Sequence, residues 1–539
     1  MSFDEKVKKD ISRRAFFKGS ALAAMGVATG GLLAGCGKPA VTQSPAKGAT
    51  EAPGKASFEI APPPIADKDI KETVTVDVVV IGAGTAGMTT ALTAVEAGAK
   101  TIILEKHSSF NARGGWTGAI GTKIQKAKGI EIDKAQVVSE LVNYAGNKVN
   151  GKLIRLWADK SGEVVDYLIN MAEAEGMKVE VWFEPVSYPN GYREYVTGHT
   201  FNGPNQANLV GMLEKNFKSK GGEIRYKTPA VQLIREGKGR VTGVIAGTPD
   251  NYIKFVAKKA VILCTGDYGH DEEMMKKYCP KGLDVDKNLY TPPVNTGDGH
   301  KMGLWIGAAM QEEMPHAPMI HNLGGPPMYS NPFLRVNILG ERYENEDVAV
   351  PYLCNSIQLQ PQNKAWVVFD AKYPEEASKM GDGFGREIKV TEETRKNLQE
   401  AIENNLTVTA NTIEELAQKL EIPVETFKAT VERYNKLAKQ GEDLDFGKRH
   451  ECLTTIEQAP FYAGIVPTAL LVTLGGLRTN TNMQVLDTEN KLIPGLYAAG
   501  NVGGDFYAND YPVIVPGLSH GRCVTFGRIA GQQAAAEHV

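Results

Sequence analysis

The stretch VDVVVIGAGTAGMTTALTAVEAGAKTIILEK, residues 76–106, decides the fold. Residues 76–81 are almost all β-branched and predict a buried strand. The turn Gly82-Ala83-Gly84-Thr85-Ala86-Gly87 then opens an alanine-rich helix, and a second apolar strand, Thr101 to Leu104, ends at Glu105 and Lys106. Gly82 permits the tight turn, Gly84 lets a pyrophosphate approach the backbone, and Gly87 packs helix on strand. The helix offers phosphate its free N–H groups and the positive end of its dipole. Glu105 is placed to accept a hydrogen bond from a ribose hydroxyl. Strand, turn, helix, strand and acid in this order predict a dinucleotide-binding βαβ unit.

Around that unit, 539 residues leave room for two or more domains with large cores. Charges of both signs are interspersed and the net charge is only −3, which argues against a nucleic-acid binder. The cysteines Cys36, Cys264, Cys279, Cys354, Cys452 and Cys523 form neither CxxC nor CxxCH, so no zinc site, dithiol centre or attached haem is expected. No apolar run in the body of the chain is long enough for an ordinary spanning helix. The N-terminus differs. Ser12-Arg13-Arg14-Ala15-Phe16-Phe17-Lys18 and the weakly apolar residues 21–34 form a twin-arginine export pattern. Leu33-Ala34-Gly35-Cys36 resembles a lipobox, which places a lipid on Cys36 of the exported protein. Residues 37–70, rich in Pro, Ala, Lys and Thr, read as a flexible tether.

Further islands follow the first unit. Arg113-Gly114-Gly115-Trp116-Thr117-Gly118 is a second Gly-rich loop suited to close contact with cofactor phosphates and ring. AVILCTG, residues 260–266, is a strand ending in a turn, and NTGDG, residues 295–299, leads into a helix expected over residues 301–310. IPGLYAAGN, residues 493–501, is another strand ending in glycine, and a last helix is expected around residues 521–537.

With these islands in order, the chain resembles the FAD-dependent oxidoreductases of the fumarate reductase/succinate dehydrogenase flavoprotein family. VILCTG, TGDGHKMG and IPGLYAAG carry the resemblance. So do GERYENE (residues 340–346) and Tyr434-Asn435 with Gly441, Asp443, Phe446 and Gly447. The resemblance implies an α/β fold, a Rossmann-like FAD-binding domain interrupted by an inserted α+β capping domain. On that pattern residues 71–302 and 446–539 hold FAD and residues 303–445 form the cap, which excludes water from the flavin. It adds Ala230, Thr265, Gly266, Asp298, Gly500, Asn501, Gly517 and Leu518 to the cofactor-binding residues of the two Gly-rich loops. The position of the family's flavin-linked His falls on Ser108, with His107 adjacent, so the FAD is expected to be non-covalent.

The family's substrate clamp is mostly missing. Its proton-donating Arg corresponds to Val350, the His before its Gly-Gly loop to Val472, and its second Arg to Ile514; His316 keeps its place. Two cations replaced by aliphatics do not compensate the desolvation of a dicarboxylate, so fumarate is excluded as the expected substrate. Residues 509–521, NDYPVIVPGLSHG, resemble instead the 3-ketosteroid dehydrogenase branch with two residues inserted. That likeness makes Tyr511 and the Gly517 backbone the donors to a ketone or enolate oxygen. His316 is expected to bind substrate and His199 to face the same pocket. Arg342 and Glu346 are expected to brace the cap, and Met314, Met319 and Met328 to line core or pocket. Tyr352 is a candidate donor beside the vacated Arg position. The expected activity is hydride transfer from FAD to an activated C=C bond of a small unsaturated carbonyl or carboxylate compound in anaerobic respiration. Its electrons would come from a membrane-linked cytochrome or FMN protein. The competing expectations are a steroid-type dehydrogenase and a flavin electron carrier.

Overall fold

The strand that opens the fold runs longer than its apolar core, over Ile70–Ile81. The computed structural model describes residues 55–181, 186–187, 193–289, 293–311, 315–348, 350–380 and 389–538. The export pattern, the lipobox with Cys36, the first half of the tether and Met314 lie outside the described residues. Ile70–Ile81 pairs in parallel with Asn251–Leu263 from Ile70↔Tyr252 to Ile81↔Leu263. On its other side Thr101–Leu104 pairs from Val78↔Thr101 to Ile81↔Leu104. Glu223–Arg225 extends that side in parallel. Leu492–Ala498 joins Asn251–Leu263, also in parallel, at Val261↔Leu496. The two ends of the chain therefore share one sheet. Helices and loops cover both of its faces, which is why Val78, Val79 and Val80 are all fully buried rather than alternating.

Two helices close one face. Thr85–Glu96 packs along Leu518–Ala536, and the two backbones approach so closely that a Cβ on Gly527 would lie 2.8 Å from the Ala86 carbonyl oxygen. A Cβ on Gly531 would lie 2.5 Å from that of Thr90. Gly87 packs in the same way, since a Cβ there would collide with the Gly82 carbonyl oxygen.

The inserted unit is a four-stranded antiparallel sheet in the order Leu334–Asn337, Ala365–Phe369, Phe461–Ile465, Thr407–Ala410. The helices Ile413–Leu420 and Val424–Gln440 bury Leu416, Leu420, Phe427, Val431 and Tyr434 against Leu334, Val336, Trp366 and Val368. Ala317–His321 leads toward this cap and Ala469–Leu474 returns from it, paired antiparallel from Ala317↔Leu474 to His321↔Ala469.

Three sequence expectations shift. Phe461–Ile465 completes the cap sheet beyond the expected break at 445/446, because its pairing partner Ala365–Phe369 lies in the cap. Likewise Ala308 and Met310, inside the expected cap range, bridge to Asp487 and Leu477 beside the larger sheet. The expected helix over 301–310 is Asp298–Trp305 instead. Gly307 turns left-handed at φ +89, after which the Ala309 and Gln311 N–H groups bond to Leu486 and Gly476. Residues 55–69 of the tether dock rather than float. Phe58 is buried in a cluster with Tyr278, and Trp305 Nε1 donates to its carbonyl at 2.9 Å. The Ser57 hydroxyl donates to Glu273.

Two of the family-like segments meet inside the cap. Arg342 donates to Glu346 (2.9 and 2.8 Å) and to Asp443 (2.9 and 2.8 Å), with its guanidinium 5.1 Å from the Tyr434 ring and 5.0 Å from the Phe446 ring. Lys448 adds an ion pair to Glu346 at 3.3 Å. Burial would raise the Asp443 carboxyl, but Arg342 and the Lys448 N–H hold it at about 2, below its ordinary 3.8. Its contribution to stability is complete above pH 3.8 and is lost as the pH falls through about 2. Arg342→Met removes the cation from Asp443 and leaves Glu346 with Lys448 alone, and should cost about 3–5 kcal/mol. The expected reading is a lowered melting temperature near neutral pH and loss of the wild-type acid transition between pH 4 and 2, followed by circular dichroism.

Candidate functional site

At the carboxyl ends of the parallel strands lies an open cleft of about 1060 Å³, where a ligand of an open α/β sheet is expected. Of the sequence-predicted cofactor residues, the structure brings Gly82, Gly84, Thr85, Ala86, Glu105, Lys106, Arg113, Ala230, Thr265, Gly266, Asp298, Gly500 and Asn501 to its walls. These come from distant parts of the chain, converging because their strands are neighbours in one sheet. The Glu105 carboxylate accepts N–H bonds from Ala83 (2.8 Å) and His107 (2.9 Å), so it fixes the glycine turn and keeps further lone pairs for a hydroxyl. Lys106 donates to Thr296 (2.9 Å) and Asp298 (2.8 Å). Burial would raise Asp298, but Lys106 and Thr296 hold its carboxyl below the ordinary value. Arg113 Nη1 donates to the Leu471 carbonyl at 3.3 Å.

The rest of the second Gly-rich loop does other work. Gly115 and Gly118 press on Pro204 and Gly517, the Gly118 N–H donates to the Gly517 carbonyl at 2.8 Å, and Thr117 pairs with His199 in a short strand. Trp116 and Gly114 meet His520, whose Nδ1 donates to the Trp116 carbonyl at 3.0 Å. Ala83 and Gly87 serve the turn itself, through the bond to Glu105 and through packing. Leu518 is buried at the start of the last helix.

Several cleft residues escaped the sequence reading: Asn111, Asn295, Ser519 and His520 among them. Asn295 opens the NTGDG run already singled out, and its amide donates to Asp267 at 3.0 Å. Ser519 and His520 stand in the first turn of Leu518–Ala536, a position readable once the helix start is known. Asn111 carries no signal beyond its neighbourhood to the glycines.

Tyr511 does not itself line the cleft; it is buried behind Ser519, which does, and its hydroxyl accepts the Ser519 N–H at 3.1 Å, capping the last helix. Burial pushes the phenol up to about 12, so it keeps its proton for donation at neutral pH. Gly517 is the N-cap of that helix, left-handed at φ +77. Tyr511 shares one apolar cluster with Val472, Val513 and Ile514. Val350 opens the cap helix Val350–Ile357. On the same helix, Tyr352 stacks on Tyr144 with ring centroids 5.7 Å apart. Met319 stands on the strand toward the cap, packed against the larger core, and Met328 is buried in the cap.

The two histidines are committed to the protein. His316 is fully buried and stacked on Tyr278 at 4.9 Å; its Nε2 donates to the Gln311 carbonyl (3.3 Å) and its Nδ1 accepts the Tyr268 hydroxyl (2.6 Å). Burial lowers it to about 4. His199 Nδ1 donates to Thr197 (2.8 Å) and its Nε2 accepts from Thr122 (2.8 Å). Neither residue lines the cleft.

The residues fit FAD. The amino end of Thr85–Glu96 opens on the cleft, and a Cβ on Gly84 would meet only the Asn111 carbonyl oxygen, at 3.7 Å, leaving the approach to the backbone clear. Glu105 and Asn501 supply polar partners on the walls of the cleft. Gly84→Val should therefore keep the fold and weaken FAD at least about tenfold, read by flavin fluorescence titration of the apoprotein. Gly87→Val should abolish the soluble folded protein, because its side chain has only backbone to enter. Acid precipitation should release all of the FAD into the supernatant.

The family model of the FAD binding domain matches residues 77–509. A vinyl phenol reductase of Lactiplantibacillus plantarum is 30% identical over 85% of this chain and 96% of its own length. The solved open conformation of a flavocytochrome c3 fumarate reductase matches at 26% identity and a TM-score of 0.65, covering 89% of this chain and 82% of that one. A 3-ketosteroid dehydrogenase of Rhodococcus jostii RHA1 shares the fold, with a TM-score of 0.69 and 23% identity over 88% of this chain and all of that one. With the cleft, the two-ended sheet and the inserted cap, these matches make the chain a member of the FAD-binding flavoprotein family that includes the fumarate reductases, an FAD-dependent oxidoreductase acting on CH–CH and C=C bonds.

Proposed function

We propose that this flavoenzyme reduces the activated C=C bond of a small conjugated carbonyl, carboxylate or aromatic compound that lacks the two carboxylates of fumarate. One observation carries the reading: a protonated, buried Tyr511 belongs to one apolar cluster with Val472 and Ile514, the two positions that correspond in sequence to charged clamp residues of the family. The likeness to a vinyl phenol reductase supports an uncharged or singly charged substrate. FAD, when bound, supplies the hydride chemistry. Tyr511 holds the proton at its Oη, positioned by the Ser519 N–H, and donates to an oxygen that gains negative charge as the double bond is reduced. The Gly517 backbone at the helix entrance is the second donor candidate, and the cap excludes water. His316, with both ring nitrogens engaged, positions the Gly475 turn through packing rather than binding substrate.

The N-terminal pattern supports export by the twin-arginine route with a lipid on Cys36. Among the described residues no helix is long and apolar enough to cross a membrane. A membrane-linked cytochrome or FMN protein is the proposed electron donor, reached by the tether.

Anaerobic oxidation of reduced viologen by enones, cinnamate-like acids or vinyl phenols, with fumarate inactive, is the expected outcome. Dye reduction by saturated ketones would establish the dehydrogenase direction, and failure of every acceptor would leave an electron carrier. Tyr511→Phe should keep FAD and lose about 10²-fold in kcat. Because the phenol titrates only near pH 12, wild-type activity should show no loss from this group below about pH 11.

A further inference from the structure

Behind the wall of the cleft sits a charge that the sheet, the cap and the proposed reaction leave unexplained. Arg522, on the second turn of Leu518–Ala536, is 2% exposed. Its Nη2 donates to Asn501 Oδ1 at 2.7 Å and its Nη1 to the Gly503 carbonyl at 3.2 Å. Its Nε has no partner. The guanidinium stands 4.8 Å from the Tyr507 ring centroid and 5.5 Å from that of Phe506. Among the described residues no carboxylate pairs with it. The titratable groups around it are Tyr507, Tyr511, Cys523 and, across Asn501, His300. All are neutral near pH 7: burial raises the phenols and the thiol and lowers His300 to about 3. Carbonyl oxygens and π faces compensate such a cation only in part.

Two neighbours of Arg522, Asn501 and Cys523, line the cleft. Arginine only donates, so Asn501 must turn its oxygen to Arg522, and the amide N–H₂ is left as the donor available to the cleft. We propose that Arg522 is an electrostatic positioning residue for the cofactor, whose buried charge favours the reduced, monoanionic form of FAD and whose fork orients the Asn501 amide toward it. In that couple FAD takes up two electrons from its electron donor, a cytochrome or FMN protein or in the test an electrode, and one proton from solvent, and the added negative charge is what the cation lacks. The inference depends on FAD in the cleft and not on the identity of the substrate.

The test is a spectroelectrochemical titration of the FAD-loaded protein across pH, without organic substrate. For the wild type, the reduced flavin should keep its anionic spectrum down through the pH range where free reduced FAD takes a second proton. A second protonation at the free value would overturn the proposal, whatever the variants do. Arg522→Met should lower the midpoint potential. Its affinity ratio for reduced over oxidised FAD should fall about tenfold or more, and the pH slope should steepen from one proton toward two protons per electron pair. Arg522→Lys should restore most of the potential while weakening FAD, because one ammonium cannot hold Asn501 and the Gly503 carbonyl in the geometry of the guanidinium. An unchanged potential and slope in an FAD-loaded Arg522→Met protein would also overturn it. These readouts separate the proposal from the substrate assignment, since failure of every enone to oxidise the enzyme leaves them untouched.

Discussion

The structure depends on a backbone contact between two helices far apart in sequence. Thr85–Glu96 and Leu518–Ala536 meet through Gly527 and Gly531, with no room for a Cβ on either. Van der Waals packing at that distance, repeated along the pair, sets the height of the last helix against the glycine turn. Everything at the far end of the cleft follows from it. The first turn of the last helix carries Ser519 and His520 to the wall, its N-cap Gly517 lies on Gly118, and Tyr511 meets the Ser519 N–H. A wider helix pair would leave the nucleotide turn intact and move the reactive end away from it.

The cap depends on a second, electrostatic constraint. Arg342 bridges Glu346 and Asp443, and Lys448 joins them, so charges brought from separate segments are neutralised only when the cap closes on itself. Such a network adds less net stability than an apolar core of the same volume, yet it is costly to break in half. It gives the cap an internal register largely independent of the cofactor domain, whose own strands are apolar.

What was legible in the sequence was local. The run over residues 76–106 specified its strand, turn and helix because each depends on neighbours in the chain, and the acid at Glu105 came with it. The FAD-binding islands were legible because short strands ending in glycine leave a compositional trace. The cap boundary was not: FYAGI at Phe461–Ile465 pairs with a strand nearly a hundred residues earlier, and nothing in its own composition names that partner. His316 looked like a ligand for the same reason. Its two ring nitrogens are consumed by Tyr268 and Gln311, one of them remote in sequence, and only the folded chain reveals that. Arg522 reads as one more polar residue of a C-terminal helix until its face is seen to be buried.

The way the cap is attached has a mechanical meaning. Its outgoing and returning segments, Ala317–His321 and Ala469–Leu474, are hydrogen-bonded to each other as a ribbon. Two independent linkers would constrain the cap little; a ribbon bends and twists but resists shear, so the attachment narrows the ways the cap can shift relative to the larger sheet. The Leu471 carbonyl on that ribbon accepts from Arg113, which lines the cleft. The cofactor bed and the ribbon that carries the cap are thus joined through one side chain.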